Sequence, residues 1–443
     1  MNTIRNLPLG LGLLCCFVLP ARAADASAQW GLGDWGGERS KLLEQGVDFT
    51  LGYVGEGASN IHGGYNDDRT ARYTAQWALG THLDLQKLLG WHDAELQFLV
   101  TERNGNNLSN ERISDPRAPQ LSSVQEVWGR GQTWRLTQLW YRQKFFEGAL
   151  DVKGGRLGVN EDFNSFACDF QSLSFCSAPV GNVAGDIWYS GPVSQWGLRV
   201  RYNLNEQWAV AIGVYEQNPS NLSTGNGFKL SGSGARGALV PVEVVWTPRV
   251  GSQALPGEYK LGYYHSTASA DDVYDDVNGA PQALTGQPAR SHGSKHGAWL
   301  MGQQQLTTHD GDASRGLSVF ASMTVHDKAT SGIESFQNIG AVYKGPFNAR
   351  PKDDIGLGMA RLKVNDDVTK RQQIINQLSG VEDYDNPSYV PVQHSEYNIE
   401  LNYGVHVTDW LTVRPNVQYV RSPGGVYEVD NAWVAGVKLQ ARF

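Results

Sequence analysis

The stretch Asn431-Ala432-Trp433-Val434-Ala435-Gly436-Val437-Lys438-Leu439-Gln440-Ala441-Arg442-Phe443 decides how this chain is read. Trp433, Ala435, Val437, Leu439, Ala441 and Phe443 fall on one side of an extended segment, and Gly436, Lys438, Gln440 and Arg442 on the other. Successive side chains of a strand point to opposite faces, so the segment presents one apolar and one charged surface. A wall between lipid and water requires that division. Half-buried strands of soluble sheets alternate too, so the test is whether the pattern recurs along the chain.

It recurs. In 394–407, Tyr397, Ile399, Leu401, Tyr403 and Val405 oppose Glu396, Asn398, Glu400, Asn402 and His406. In 73–85, Tyr73, Ala75, Trp77, Leu79, Leu83 and Leu85 oppose Arg72, Thr74, Gln76, His82 and Asp84; near 94–103, Leu96, Phe98 and Val100 oppose Glu95, Gln97, Thr101 and Arg103. Around Trp196, Leu198, Val200 and Tyr202 the opposite register would place Arg199 and Arg201 in lipid, at about 2–4 kcal/mol each near the midplane. Further candidates at 47–54, 134–145, 149–158, 207–216, 238–248, 257–265, 296–308, 315–326, 336–344, 353–363 and 410–421 bring the count to sixteen, with 134–145 and 296–308 the least regular. The gaps alternate long and short, beginning 55–69, 86–91, 104–133, 146–148, 159–193 and 204–206. These features predict an all-β, closed antiparallel transmembrane barrel of about 16 strands, with long extracellular loops, short periplasmic turns, and a last strand that pairs with the first near Val47 to Tyr53.

The compartment follows from the start of the chain. Arg5, the apolar run Leu9 to Leu19 and Ala21-Arg22-Ala23 form a secretory leader, giving 1–23 as signal peptide, 24–46 as a periplasmic N-terminal segment and 47–443 as one barrel domain. Loss of Arg5 and Arg22 takes the formal charge from −8 to −10, which argues against nucleic acid as a partner. The mature sequence has no run of 18 apolar residues, which leaves a closed barrel as the only way to span a membrane. Cys15 and Cys16 fall in the leader; Cys168 and Cys176, close together in an oxidising compartment, most simply close a disulfide loop.

Catalytic signatures are weak. Gly232-x-Gly234-x-x-Gly237 leads into a strand instead of a helix, so it offers no helix N-terminus to a phosphate. His292-x-x-x-His296 would seat a metal only on a helix, and it lies between Gly293 and Gly297. No enzyme, metal or cofactor is expected. The acid pairs Asp67-Asp68, Asp271-Asp272, Asp275-Asp276 and Asp366-Asp367 read as solvated loop charge, with a cation shared with lipopolysaccharide as the sharper alternative. Alternation turns Arg72, Glu95, Arg103, Arg199, Arg201 and Glu396 inward, and the long segments 104–133 and 159–193 are able to fold into the lumen. Guanidinium and carboxylate groups pair with vicinal hydroxyls, and aromatic faces stack on a sugar ring. Trp128 and Trp188 are the expected lumen aromatics, whereas Trp134 and Trp140 suit an interfacial girdle equally well.

Gly155-Arg156-Leu157-Gly158-Val159, Asp162-Phe163 and Cys168-Asp169-Phe170 through Cys176 resemble the core of the OprB family of carbohydrate-selective porins. So do Trp35-Gly36-Gly37, Lys87-Leu88-Leu89-Gly90, Arg103-Asn104-Gly105-Asn106-Asn107-Leu108-Ser109 and Pro423-Gly424-Gly425, and Phe443 resembles the terminal aromatic of outer-membrane barrels. The resemblance implies a 16-stranded outer-membrane channel for facilitated diffusion of monosaccharides such as glucose. Its constriction would be carried by Arg72, Arg103, Glu161 and Asp162, with Glu95, Trp128, Trp188, Arg199 and Arg201 added from alternation and position. The stretch Val124 to Gly131 departs from the family pattern and would reshape the second loop. A general porin without sugar selectivity is the alternative. Outer-membrane lipid and lipopolysaccharide are the expected surroundings, and monomer and homotrimer both stay open.

Overall fold

The computed structural model describes residues 29–165, 169–176 and 178–443. The leader 1–23 and Cys168 lie outside the described residues, and with them the expected cysteine pairing.

Sixteen long antiparallel strands form the wall: β1 Val47–Gly64, β2 Ala71–Asp84, β3 Ala94–Gly105, β4 Trp134–Phe145, β5 Leu150–Leu157, β6 Gln195–Asn203, β7 Trp208–Gln217 and β8 Gly237–Trp246, then β9 Leu255–Ser266, β10 Lys295–Gln305, β11 Gly316–His326, β12 Ile333–Lys344, β13 Asp354–Val364, β14 Ser395–His406, β15 Leu411–Arg421 and β16 Asp430–Arg442. Each pairs with its neighbour in sequence, and β16 returns to β1, so the sheet closes on itself. Closure satisfies every ladder from within, as a wall in hydrocarbon must. No helix among the described residues is long and apolar enough to cross a membrane.

Two expectations are corrected at the seam. β1 does not stop near residue 54 but runs on through Gly64, and its ladder to β16 extends from Gly52–Arg442 to Gly64–Asp430 instead of lying at 47–53. Residues 55–64, expected in the first gap, are strand here, with Gly55 and Gly57 as ladder positions opposite Leu439 and Val437. The first outer connection is therefore 65–70, and 327–332 and 422–429 are also short, so the long-and-short alternation is carried by 106–133, 158–194, 218–236, 267–294 and 365–394. Across the periplasmic end of the seam, Arg39 donates to the Phe443 carbonyl (2.7 Å) and the Phe49 carbonyl (3.0 Å), its guanidinium 4.2 Å from the centre of Trp30.

The two irregular strands have separate causes. In β4 a bulge falls between the pairs Leu99–Gln138 and Val100–Leu136, and one extra residue switches which parity faces inward. Arg135 and Thr137 are buried on one side of it, and Trp140 and Arg142 line the lumen on the other. In β10 the alternation is intact, but the inward side carries Trp299 and Met301 because it meets packed protein instead of water. The inner face of β16 behaves likewise: Ala432 and Val434 are fully buried against Leu108, Ile113 and Val124 of loop 106–133.

The segment 158–194 packs across the interior. Phe170 and Phe175 pack against Phe336, Ala360 and Leu362 of the wall, and Phe163 and Trp188 join Tyr215, Tyr264 and Trp299. Each fully buried ring contributes about 1.5–3 kcal/mol relative to exposure. The wall makes room for them: a Cβ built on Gly358 of β13 would sit 2.8 Å from the Phe175 ring, and one on Gly213 of β7 2.9 Å from Phe163.

Candidate functional site: a charged lumen between two inward-folded loops

A loop laid inside a barrel carries backbone N–H groups that cannot reach bulk water, and they need acceptors. Inward carboxylates of the wall supply them. Glu243 of β8 accepts from Asn164 N (2.9 Å) and from Trp299 Nε1 (2.8 Å). Glu400 of β14 accepts from Gln171 N (3.0 Å) and Ser172 N (2.6 Å). Glu56 of β1 accepts from Val127 N (3.1 Å) of the other loop. Wall cations hold carbonyls and acids in the same way, Lys260 donating to Ser165 O (2.6 Å) and Lys295 to Asp186 (2.5 Å). Both loops are thereby fixed across the lumen by opposite-charge and hydrogen-bond contacts from many strands.

Lys438 is the point where the two loops meet the wall. Its ammonium, 1% exposed, lies 3.0 Å from Glu126, 3.4 Å from Glu56 and 2.8 Å from the Phe170 carbonyl. Burial alone would push the Glu126 carboxyl up, but Lys438 and Arg103 outweigh it and hold it below the usual carboxylate range.

Beside the loops lies a cavity of about 470 Å3, lined by β4 to β9 and by Glu161, Asp162 and Ser165. The strand registers stack its charges in two rows, Arg142–Lys153–Arg199 and Lys144–Asp151–Arg201. Arg142 grips Asp151 with Nε (3.0 Å) and Nη2 (2.5 Å), and Arg199 joins the same carboxylate at 2.7 Å while reaching Asp162 at 3.2 Å. Lys153 lies 2.7 Å from Asp162, 3.4 Å from Glu161 and 5.0 Å from the centre of the Trp140 ring. Burial pushes the Glu161 carboxyl above its ordinary range, against the pull of Lys153. Arg201 donates Nε to Asn203 (3.0 Å), and no carboxylate pairs with it among the described residues.

Of the residues expected from sequence, the fold brings Glu161, Asp162, Arg199 and Arg201 together in this cavity. Glu95 is nearby, 3.4 Å from Arg142 and 3.3 Å from Lys144. Arg103 and Trp128 line a second cavity of about 330 Å3 between the two loops, where Arg103 donates to Gln76 (2.7 Å) and to the Trp128 carbonyl (2.9 Å). Arg72 stands apart at the outer end of β2, bound to Glu111 at 2.5 Å. Trp188 offers no face to a solute: it is 0% exposed, edge-on to Trp299 (5.5 Å between centres) and Tyr264, because it anchors the loop to the wall. Trp140, read as equally suited to a girdle, takes the lumen place expected of Trp188. Asp151, Lys153, Glu243, Glu258 and Lys260 were missed, although alternation along 149–158, 238–248 and 257–265 gives them the inward parity.

A family model described as "Carbohydrate-selective porin, OprB family" matches residues 68–443. The chain belongs to the OprB family. It is 67% identical to Porin B of Pseudomonas aeruginosa over 96% of this chain and 93% of that one. The structure superposes on the high-pH structure of Pseudomonas putida OprB with a TM-score of 0.93 at 66% identity, covering 95% of this chain and all of that one. OmpF of Salmonella typhi, 11% identical with a TM-score of 0.51 and 90% of this chain covered, shares the fold alone. This OprB-family chain is an outer-membrane β-barrel porin selective for carbohydrate.

Proposed function

We propose that the protein passes monosaccharides such as glucose by facilitated diffusion, and that the cavity beside β4 to β9 is where they are selected. The observation that carries this reading is the charge balance of the lining. Arg142, Lys144, Lys153, Arg199, Arg201 and Lys260 face Asp151, Glu161, Asp162, Glu243 and Glu258. Six cations among five carboxylates leave little net field to attract an ion of either sign, yet present dense donors and acceptors to a neutral polyol. Arg201 supplies unpaired donors, and the Trp140 ring supplies an apolar face for one side of a pyranose. The cavity lies within the range of about 300–1,000 Å3 usual for small-molecule sites.

The remaining finer assignments belong to the same reading: 47–443 as the channel domain after a periplasmic 24–46 segment, a Cys168–Cys176 disulfide stiffening the lumen loop, and surroundings of outer-membrane lipid and lipopolysaccharide. Liposome swelling across glucose, its epimers and neutral polyols of matched size tests the reading, with Arg201→Ala and Trp140→Ala alongside wild type. Saturable swelling that ranks epimers, with the ranking flattened in both variants, is expected. Rates that follow solute size alone would mark a general porin.

A further inference from the structure

The outward face of the barrel carries a charged feature that the channel does not use. Arg361 of β13, Tyr397 of β14 and Arg421 of β15 are direct cross-strand partners, forming a single row over three adjacent strands near their extracellular ends. The two guanidinium carbons lie 5.8 and 5.6 Å from the centre of the Tyr397 ring. Arg361 Nη2 donates to Ser395 Oγ at 3.3 Å, and its Nε is buried without a partner. Neither arginine forms an ion pair among the described residues, whereas Lys363, one step further out, is neutralised by Glu334 (3.0 Å) and Asp366 (3.2 Å). Two unneutralised guanidinium groups held against one ring at the edge of the lipid belt are placed for an anion.

To one side of this row, over β10 to β12, the wall is indented. Gly302 of β10, against which the Tyr259 ring lies, and the small outward residues Ala321 and Ala341 of the next two strands floor a groove of about 740 Å3 that is almost wholly apolar. It extends to Met359 and Ile399, which are two residues along from Arg361 and Tyr397 on the same faces. Leu300, Ile339 and Leu357, which stand out into the surroundings, form the sides of the same groove. A groove able to take a hydrocarbon chain therefore ends under a cationic pair.

We propose that this face holds an acylated, phosphate-bearing lipid of the outer leaflet, its phosphate on Arg361 and Arg421 and an acyl chain in the groove over Gly302, Ala321 and Ala341. Charge complementarity selects the anionic head, and the indentation distinguishes the site from the rest of the belt. The lipid is a ligand of the wall, so channel conductance serves as an independent check that each variant is folded.

The test is a lipid titration of the full, delipidated protein in detergent, read by native mass spectrometry. The probe is an acylated, phosphorylated glucosamine disaccharide, with its dephosphorylated form and inorganic phosphate as separate arms. Tighter retention of the phosphorylated form is expected, weakened about fivefold by each of Arg361→Gln and Arg421→Gln. Filling the groove with Ala321→Leu and Ala341→Leu should weaken the same lipid with both arginines intact, and Arg249→Gln on the periplasmic side should leave it unchanged. Equal retention of the two lipid forms, or an unaltered affinity in the double arginine variant, would overturn the proposal. Displacement by an equimolar amount of inorganic phosphate would do so too, because it would assign the site to the free anion.

Discussion

Lys438 on the closing strand lies 3.0 Å from Glu126 in loop 106–133, and the same ammonium donates to the Phe170 carbonyl of loop 158–194. One cation thus holds both lumen loops to the wall. Lys438→Met would leave Glu56 and Glu126 buried with Arg103 as their remaining counter-charge, a loss of about 3–5 kcal/mol for a broken buried pair. Released loops should raise single-channel conductance and flatten the ranking of sugars. Wild-type conductance in this variant, measured in planar bilayers, would show that other contacts suffice to hold the loops.

Gly358 and Phe175 should behave as a matched pair. Phe175→Ala removes a ring that is 0% exposed and should cost about 3–5 kcal/mol. Gly358→Val drives branched carbons into that ring and should destabilise by about 1–3 kcal/mol, more than Gly358→Ala. In a double-mutant cycle by thermal unfolding, the combined Gly358→Val, Phe175→Ala protein should be more stable than the sum of the two losses allows. Simple additivity would separate the residues energetically.

The two tryptophans of the lumen loops should separate by assay. Trp188→Ala should cost about 3–5 kcal/mol through the void it leaves among Tyr264 and Trp299. Trp128→Ala, at a half-buried position facing the upper cavity, should change the sugar ranking with little effect on the melting temperature. Swelling assays and thermal melts on both variants decide between these roles.

On the extracellular side, Asp115 clasps two loops together. It accepts from Arg117 (2.8 Å) and from the Tyr384 hydroxyl (2.7 Å), while Arg117 also donates to the Tyr384 carbonyl at 3.0 Å. Burial resists ionisation of Asp115, but these donors prevail and hold its carboxyl below the ordinary range. A carboxyl depressed in the folded state stabilises it above the unfolded pKa, and that stabilisation is lost as pH falls through the folded value. Protection factors of the amides around residues 383–390 should therefore stay high and flat between about pH 7 and pH 5 and fall only below the ordinary carboxyl range near pH 4. Asp115→Asn should exchange about tenfold faster at neutral pH, with the acid dependence gone.

Much of this was legible in the chain because alternation is a local property. The parity of Trp196 to Tyr202 fixed Arg199 and Arg201 inward, and the structure places both at the cavity. Alternation misled where a third body enters. The stretch 55–64 falls in an expected gap, yet two flanking strands hold Gly55 and Gly57 in the ladder. The bulge near Thr137 reversed the parity of β4, which concealed Trp140 and Arg142. Trp188 read as a lumen aromatic because nothing local to it announces Tyr264 and Trp299, 76 and 111 residues away.

The sequence by itself determined the wall: a period-two pattern repeated sixteen times, a count that closes, and the face each residue takes in strands without a bulge, because a regular strand's side chains alternate whatever surrounds it. Only the tertiary structure decided the channel. Which charges meet, which aromatic faces a solute and which is an anchor depend on how loops 106–133 and 158–194 lie across the lumen. Their course is set by long-range contacts such as Glu400 with Gln171 and Lys438 with Glu126, whose partners lie hundreds of residues apart and leave no local period to read.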